Sequence, residues 1–224
     1  MAAILFDLDG TLIDSAPDIH AEANRTLAAE GLPPLPFAQV KGFIGKGVPN
    51  LIARLLEASG RPPEDPQQER MIARFTENYE TAVDLTVIYP GAIPALEALR
   101  AAGHRLGLVT NKPIRPTHAV LAHLDMGHLF ETVWGGDSLP TRKPDPAPLL
   151  AGLEALGGGP AIYVGDSETD AETALRAGMP FLLYTEGYRR APAGELPQAG
   201  RFNDFNNLLG LVAGLLTAQG MAHV

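Results

Sequence analysis

Two carboxylates two positions apart, Asp7 and Asp9, stand in the string Phe6-Asp7-Leu8-Asp9-Gly10-Thr11-Leu12. At the end of a strand such a pair can face one site, and Gly10 lets the chain turn sharply beside a ligand. One carboxylate can attack phosphorus and carry the phosphoryl group as an acyl phosphate. Its neighbour can protonate the leaving oxygen and later activate water. An Asp-Gly turn after a strand would explain residues 7–10 by themselves; the apolar lead and the full string make the pattern more specific.

A second acidic run, Gly165-Asp166-Ser167-Glu168-Thr169-Asp170, follows another apolar segment. If the two runs meet, four carboxylates share one cleft. Two bare charges 4 Å apart repel by about 4 kcal/mol at an effective dielectric of about 20. The cluster must therefore protonate, hold a cation, or both. All-oxygen ligands select a hard ion, and phosphate chemistry favours Mg²⁺. The expected ligands are the side chains of Asp7 and Asp166 and the backbone carbonyl of Asp9. Asp170 either supports them from behind, caps a helix, or does both.

Val109-Thr110-Asn111-Lys112 also lies between a strand pattern and a helix pattern. The Thr110 hydroxyl and the backbone amides at Asn111 and beyond can bind phosphate there, although a plain Thr-Asn turn would read the same. Lys143, in Arg142-Lys143-Pro144, is a lone cation before a helix. In the cleft it would balance phosphate and carboxylates; elsewhere it is a surface lysine.

The elements that must position these groups follow from apolar periodicity and breakers. Strands are expected at 3–8, 104–109, 132–135, 161–164 and 181–184. Helices are expected at 92–102, 116–124, 147–155, 171–177 and 208–216. Alternation of this kind implies a doubly wound parallel α/β sheet, with ligands beyond the carboxyl ends of its strands. Residues 37–84 read as helical, at 37–43, 48–59 and 66–83, with a polar linker at 60–65. An earlier helix runs to about 31, with Ser15 as its expected cap. The expected organisation is a core of 1–14 and 86–224 with an all-helical cap at 15–85.

Composition narrows the function. Asp and Glu outnumber Lys and Arg, 26 to 17, for a formal charge of −9. No basic run stands out, which argues against nucleic acid or an acidic membrane as partner. The absence of cysteine excludes disulfides, thiolate metal sites and cysteine nucleophiles. The start does not read as a signal peptide and no apolar run approaches a membrane span. The expectation is a cytoplasmic protein, monomer or homodimer, acting on a small phosphorylated metabolite.

In this order the four stretches resemble the four motifs of the haloacid dehalogenase superfamily. The resemblance implies a doubly wound core, a mobile helical cap and Mg²⁺. It also implies Asp7 as nucleophile, Asp9 as acid and base, Thr110 and Lys143 as phosphate and charge partners, and Asp166 as metal ligand. A narrower resemblance is to bacterial phosphoglycolate phosphatases. It rests on Asp14-Ser15-Ala16-Pro17-Asp18, Phe43-Ile44-Gly45-Lys46-Gly47, Gly135-Gly136-Asp137-Ser138-Leu139-Pro140 and Gly187-Tyr188. On that reading Lys46, in a glycine-flanked loop of the cap, selects the substrate carboxylate; alternatively it faces solvent.

Asp9 separates the neighbouring chemistries, because dehalogenases need no acid there and phosphonate-cleaving relatives lack it. Sugar phosphate mutases use a cap histidine, and His20 sits one position too late for that role. The substrate expected is 2-phosphoglycolate, with a sugar phosphate, a nucleotide or pyrophosphate as alternatives. From another class, a phospho-aspartate signalling domain shares the acidic pocket and the Mg²⁺, but not the helical insertion.

Overall fold

The computed structural model describes residues 1–62, 66–218 and 220. At its centre lies β1 (Ala3–Phe6), between β4 (Arg105–Val109) and β6 (Ala161–Gly165). With β5 (Thr132–Trp134), β7 (Phe181–Tyr184) and β8 (Gly200–Phe202) they form one parallel sheet ordered β5-β4-β1-β6-β7-β8. The strand order reverses at β1, which places a crevice beyond the carboxyl ends of β1, β4 and β6.

Alternation along β1 shows why its sequence is apolar throughout. Ile4 and Phe6 pack with Leu96, Val120 and Val212, from α5 (Ala92–Ala101), α6 (Ile114–His123) and α9 (Leu208–Ala218). Ala3 and Leu5 face the other way, onto Leu149 of α7 (Ala147–Ala155) and Ala171 and Ala174 of α8 (Glu168–Ala177). A strand covered on both faces has no polar side to show. This is the α/β doubly wound architecture that the alternating pattern implies.

Between β1 and β4 the chain forms α1 (Ala16–Ala29), α2 (Phe37–Lys41), α3 (Val48–Ala58) and α4 (Gln68–Tyr79). They enclose a separate hydrophobic cluster that includes Leu27, Ile52, Leu55, Met71 and Phe75. Of the polar linker expected at 60–65, residues 63–65 lie outside the described residues. The outgoing and returning chains pair as a short antiparallel ribbon, β2 (Ile13–Asp14) with β3 (Val87–Ile88). Two-residue strands carry no legible period, and this ribbon was not expected. Ser15 begins α1, but its hydroxyl does not cap the helix; it bonds Asp9 instead. Among the described residues no helix is long and apolar enough to cross a membrane.

Asp18 fixes the return of the chain. Its buried carboxylate accepts from the Thr86 hydroxyl at 2.6 Å and from the Leu85 amide at 3.1 Å. Asp18→Ala leaves both donors without their acceptor, at a cost of about 1–3 kcal/mol. The expected result is a melting temperature lower by roughly 2–12 °C in thermal unfolding followed by circular dichroism. An unchanged value would mean that the tie carries no stability.

Candidate active site

Because the strands run parallel, the residues that follow them gather at one edge of the sheet. Asp7 follows β1, Thr110 follows β4 and Asp166 follows β6. Asp7, Asp166 and Asp170 each offer an oxygen within 4.8 Å of one another, and all three are buried. Lys143 joins them. Its Nζ lies 2.8 Å from Asp7 Oδ1, 2.7 Å from Asp170 Oδ1 and 2.8 Å from the Tyr163 hydroxyl.

One ammonium among three carboxylates leaves the cluster negative, and the titration of each group follows. Burial opposes the charge of Lys143, but Asp170 and Asp7 outweigh it and raise its pKa. Burial would also raise Asp170; Lys143 and the hydrogen bonds from Lys143, Ser167 and Tyr163 hold it low. Burial pushes Asp7 up to about 7, with Lys143 opposing and Asp170 adding to the rise. Asp166 is raised well above the carboxylate range by burial and by the charges of Asp170 and Asp7. A divalent cation would favour the ionised forms, and the donor set is all oxygen, so the cluster can hold a hard ion.

The surroundings of Asp166 fit that purpose. Thr11 donates to its Oδ1 at 2.8 Å and the Tyr188 amide to its Oδ2 at 2.6 Å. Two glycines press against it: a Cβ on Gly10 would come within 2.6 Å of Oδ2, and one on Gly187 within 2.3 Å. Gly10 also has φ +89°, a backbone state that side chains resist. Asp170 is committed elsewhere. It accepts from Lys143, Tyr163, Ser167 and the Asp166 amide, and it completes the capping box of α8. Both readings of Asp170, support and cap, therefore describe its contacts.

Beside the cluster lies a cavity of about 50 Å³, with Asp7, Asp9, Thr110 and Lys112 among its polar lining. Ile19, Phe43, Val48, Leu51, Phe75 and Tyr79 of the helical segment form its opposite wall. Asp9 accepts from the Ser15 hydroxyl at 2.6 Å and faces Lys112 Nζ at 3.4 Å. Thr110 is buried at the floor, and its hydroxyl accepts from the Lys112 amide.

The Asn111 side chain ties two loops together, its amide donating to the Gly45 and Lys143 carbonyls, both at 2.9 Å. Its backbone amide is the group the sequence assigns to phosphate. Lys46 does not line the cavity; it is exposed, in a separate groove with Asn50, Arg54 and Arg190. Its loop does reach the cavity, through Ile44, Gly45 and Gly47, but the lysine points to the other side. His20 packs within the helical segment, against the Leu35 carbonyl and the edge of Phe37.

Tyr163 belongs to no sequence motif, whereas Tyr188 and Gly135-Gly136-Asp137 entered only through the resemblance, without a role. Tyr163 is a wholly buried strand tyrosine, and a buried hydroxyl must find a partner; that was the available signal. Tyr188 joins Asp166 to the start of α1, its hydroxyl accepting from the Ser15 and Ala16 amides and donating to Asp14. The string Gly135-Gly136-Asp137 supports residues 111–114. Asp137 accepts from the Ile114 amide at 2.7 Å, and a Cβ on Gly136 would lie 2.3 Å from the Asn111 carbonyl oxygen.

Comparison with known proteins agrees with this geometry. A family model for haloacid dehalogenase-like hydrolases matches residues 1–178. The phosphoglycolate phosphatase of Cereibacter sphaeroides is 50% identical over 217 residues, covering 96% of this chain and 100% of the relative. That of Rhodobacter capsulatus is 47% identical over 212 residues, covering 95% and 97%. Among solved structures, a predicted phosphoglycolate phosphatase from Haemophilus somnus superposes with a TM-score of 0.88 at 31% identity, covering 95% of this chain and 98% of the other.

Proposed function

This chain belongs to the haloacid dehalogenase-like hydrolases, and we propose that it hydrolyses 2-phosphoglycolate to glycolate and phosphate with Mg²⁺ at the Asp7–Asp166 cluster. That it is a phosphatase follows from the family and from near-full-length relatives of that activity. The observation that carries the finer reading is the meeting of Asp7, Asp166 and Lys143 beyond three parallel strands, next to a small cavity.

Lys143 holds one oxygen of Asp7, which leaves the other for phosphorus. As that oxygen bonds to phosphorus, the bond from phosphorus to the ester oxygen breaks. Asp9, carrying a proton, gives it to the leaving glycolate oxygen. It then takes a proton from the water that attacks the phospho-aspartate, which releases phosphate and restores Asp7. Thr110, the backbone amides after it and Lys143 hold the phosphoryl oxygens. Asp7, Asp166 and the Asp9 carbonyl would hold Mg²⁺, with Asp170 behind them; the ion supplies positive charge against the phosphate.

Residues 15–85 act as a cap in this scheme, over a core of 1–14 and 86–224. Support comes from their separate hydrophobic cluster and from a cavity walled by both parts. Closure would exclude water from the acyl phosphate until hydrolysis.

The test is a substrate panel: 2-phosphoglycolate, glucose 6-phosphate, a nucleoside monophosphate and pyrophosphate, each with Mg²⁺ and after chelation. The expected kcat/KM is highest for 2-phosphoglycolate, by about tenfold or more. Chelation should remove at least about 99% of turnover, and Mg²⁺ should restore it. Preference for a sugar phosphate would overturn the substrate; full activity in chelator would overturn the metal.

A further inference from the structure

We propose that Lys112 determines specificity, its ammonium group receiving the substrate carboxylate in place of the Tyr79 hydroxyl. The inference rests on the phosphoglycolate reading and identifies the group that recognises the half of the molecule carrying no phosphorus.

A substrate with an anion at each end needs two sources of positive charge. Near the phosphoryl end, Lys143 is already bound to Asp7, Asp170 and Tyr163. Among the described residues that line the cavity, Lys112 is the one cationic side chain. Much of the remaining wall is apolar, including Ile19, Phe43, Val48, Leu51 and Phe75. A carboxylate placed against such a wall without a partner is strongly disfavoured.

Position points to the same residue. Asp9 is the group that protonates the ester oxygen, and Lys112 Nζ lies 3.4 Å from Asp9 Oδ1. In 2-phosphoglycolate the carboxylate stands one methylene beyond that oxygen. A cation next to the acid is therefore where the far end of so short a substrate would lie. A longer sugar phosphate would carry its distal groups past it, into the apolar wall.

The present partners of Lys112 are replaceable. It makes a short hydrogen bond to the Tyr79 hydroxyl and sits 3.8 Å from the centre of that ring. Tyr79 is neutral, since burial and the charges of Asp9 and Asp18 raise its pKa. Lys112 is only 6% exposed, so a carboxylate bound there meets little competition from water. An ammonium has three donors, and among the described residues its hydrogen bonds go to Tyr79 and Asp9. Tyr79 comes from α4 and Lys112 from the loop after β4, so the exchange also links substrate binding to the contact between cap and core.

The experiment compares 2-phosphoglycolate with ethyl phosphate, in which a methyl group replaces the carboxylate. Wild-type protein is expected to prefer 2-phosphoglycolate. Lys112→Met should lower kcat/KM for 2-phosphoglycolate about 100-fold, mostly through KM, and for ethyl phosphate by about tenfold or less. Lys112→Gln keeps a donor toward Tyr79 and Asp9 and should show the same selective loss, which covers the case in which the methionine variant does not fold. Wild-type selectivity retained by the folded variants would overturn the assignment alone, and so would equal losses on both esters. Wild-type protein that hydrolyses the two esters equally would overturn the phosphoglycolate reading, and Lys112 with it.

Discussion

Asp7→Asn is expected to lower kcat at least about 10⁴-fold, which corresponds to roughly 5.5 kcal/mol of lost transition-state stabilisation. The amide has the size of the carboxylate, so shape is conserved, but its oxygen is a poor nucleophile and cannot form a stable acyl phosphate. The effect should appear in kcat rather than KM, because Thr110, Lys143 and the backbone amides that hold the phosphoryl group are untouched. Stability should not fall. Burial already pushes Asp7 up to about 7, so the site in isolation holds this carboxylate at a cost that a neutral amide avoids. Phosphate release measures the first expectation and thermal unfolding the second. Activity within about 100-fold of wild type, with the fold intact, would mean that water attacks phosphorus directly.

Which contacts the sequence makes legible depends on distance along the chain. Asp7, Thr110 and Asp166 each follow an apolar run that ends in a polar residue, and parallel topology puts all such ends on one edge. Lys143 has no strand to place it and was identified by its proline-flanked setting and by resemblance. The partners were harder. Tyr79 and Lys112 meet across 33 positions, Ser15 and Tyr188 across 173; no local pattern encodes such contacts. Lys46 shows the converse. Two flanking glycines suggest a loop but not which side its lysine faces, and here it faces away from the cavity. Lys112 immediately follows the phosphate motif, and a lysine there in an acidic chain was an available signal. The two-residue strands β2 and β3 went unexpected for a simpler reason: two residues are too few to display alternation.

Lys143→Met should damage both turnover and stability. The variant keeps an apolar stem of similar length and removes the ammonium bound to Asp7, Asp170 and Tyr163. Taking one partner from a buried ion pair costs about 3–5 kcal/mol, because the charges left behind have no compensation. For a chain of this size that is a fall in melting temperature of roughly 6–20 °C. The raised pKa of Lys143 means that its stabilisation is fully present below the unfolded value of about 10.4 and is lost only as pH rises through the higher folded value. A measurement at neutral pH therefore reads all of it. On the acid side the lowered pKa of Asp170 gives the opposite sign: its contribution is lost as pH falls through that value. Turnover should drop at least about 10³-fold, since Asp7 and the phosphoryl group lose their counter-charge. The double variant Lys143→Met with Asp170→Asn separates the two roles. Removing the stranded charge should recover about half or more of the lost stability, while turnover stays lost, because the cation that faced the substrate is still missing. A single variant as stable as wild type would show that the ion pair is not structural. A double variant that regained turnover would show that Lys143 matters only by neutralising Asp170.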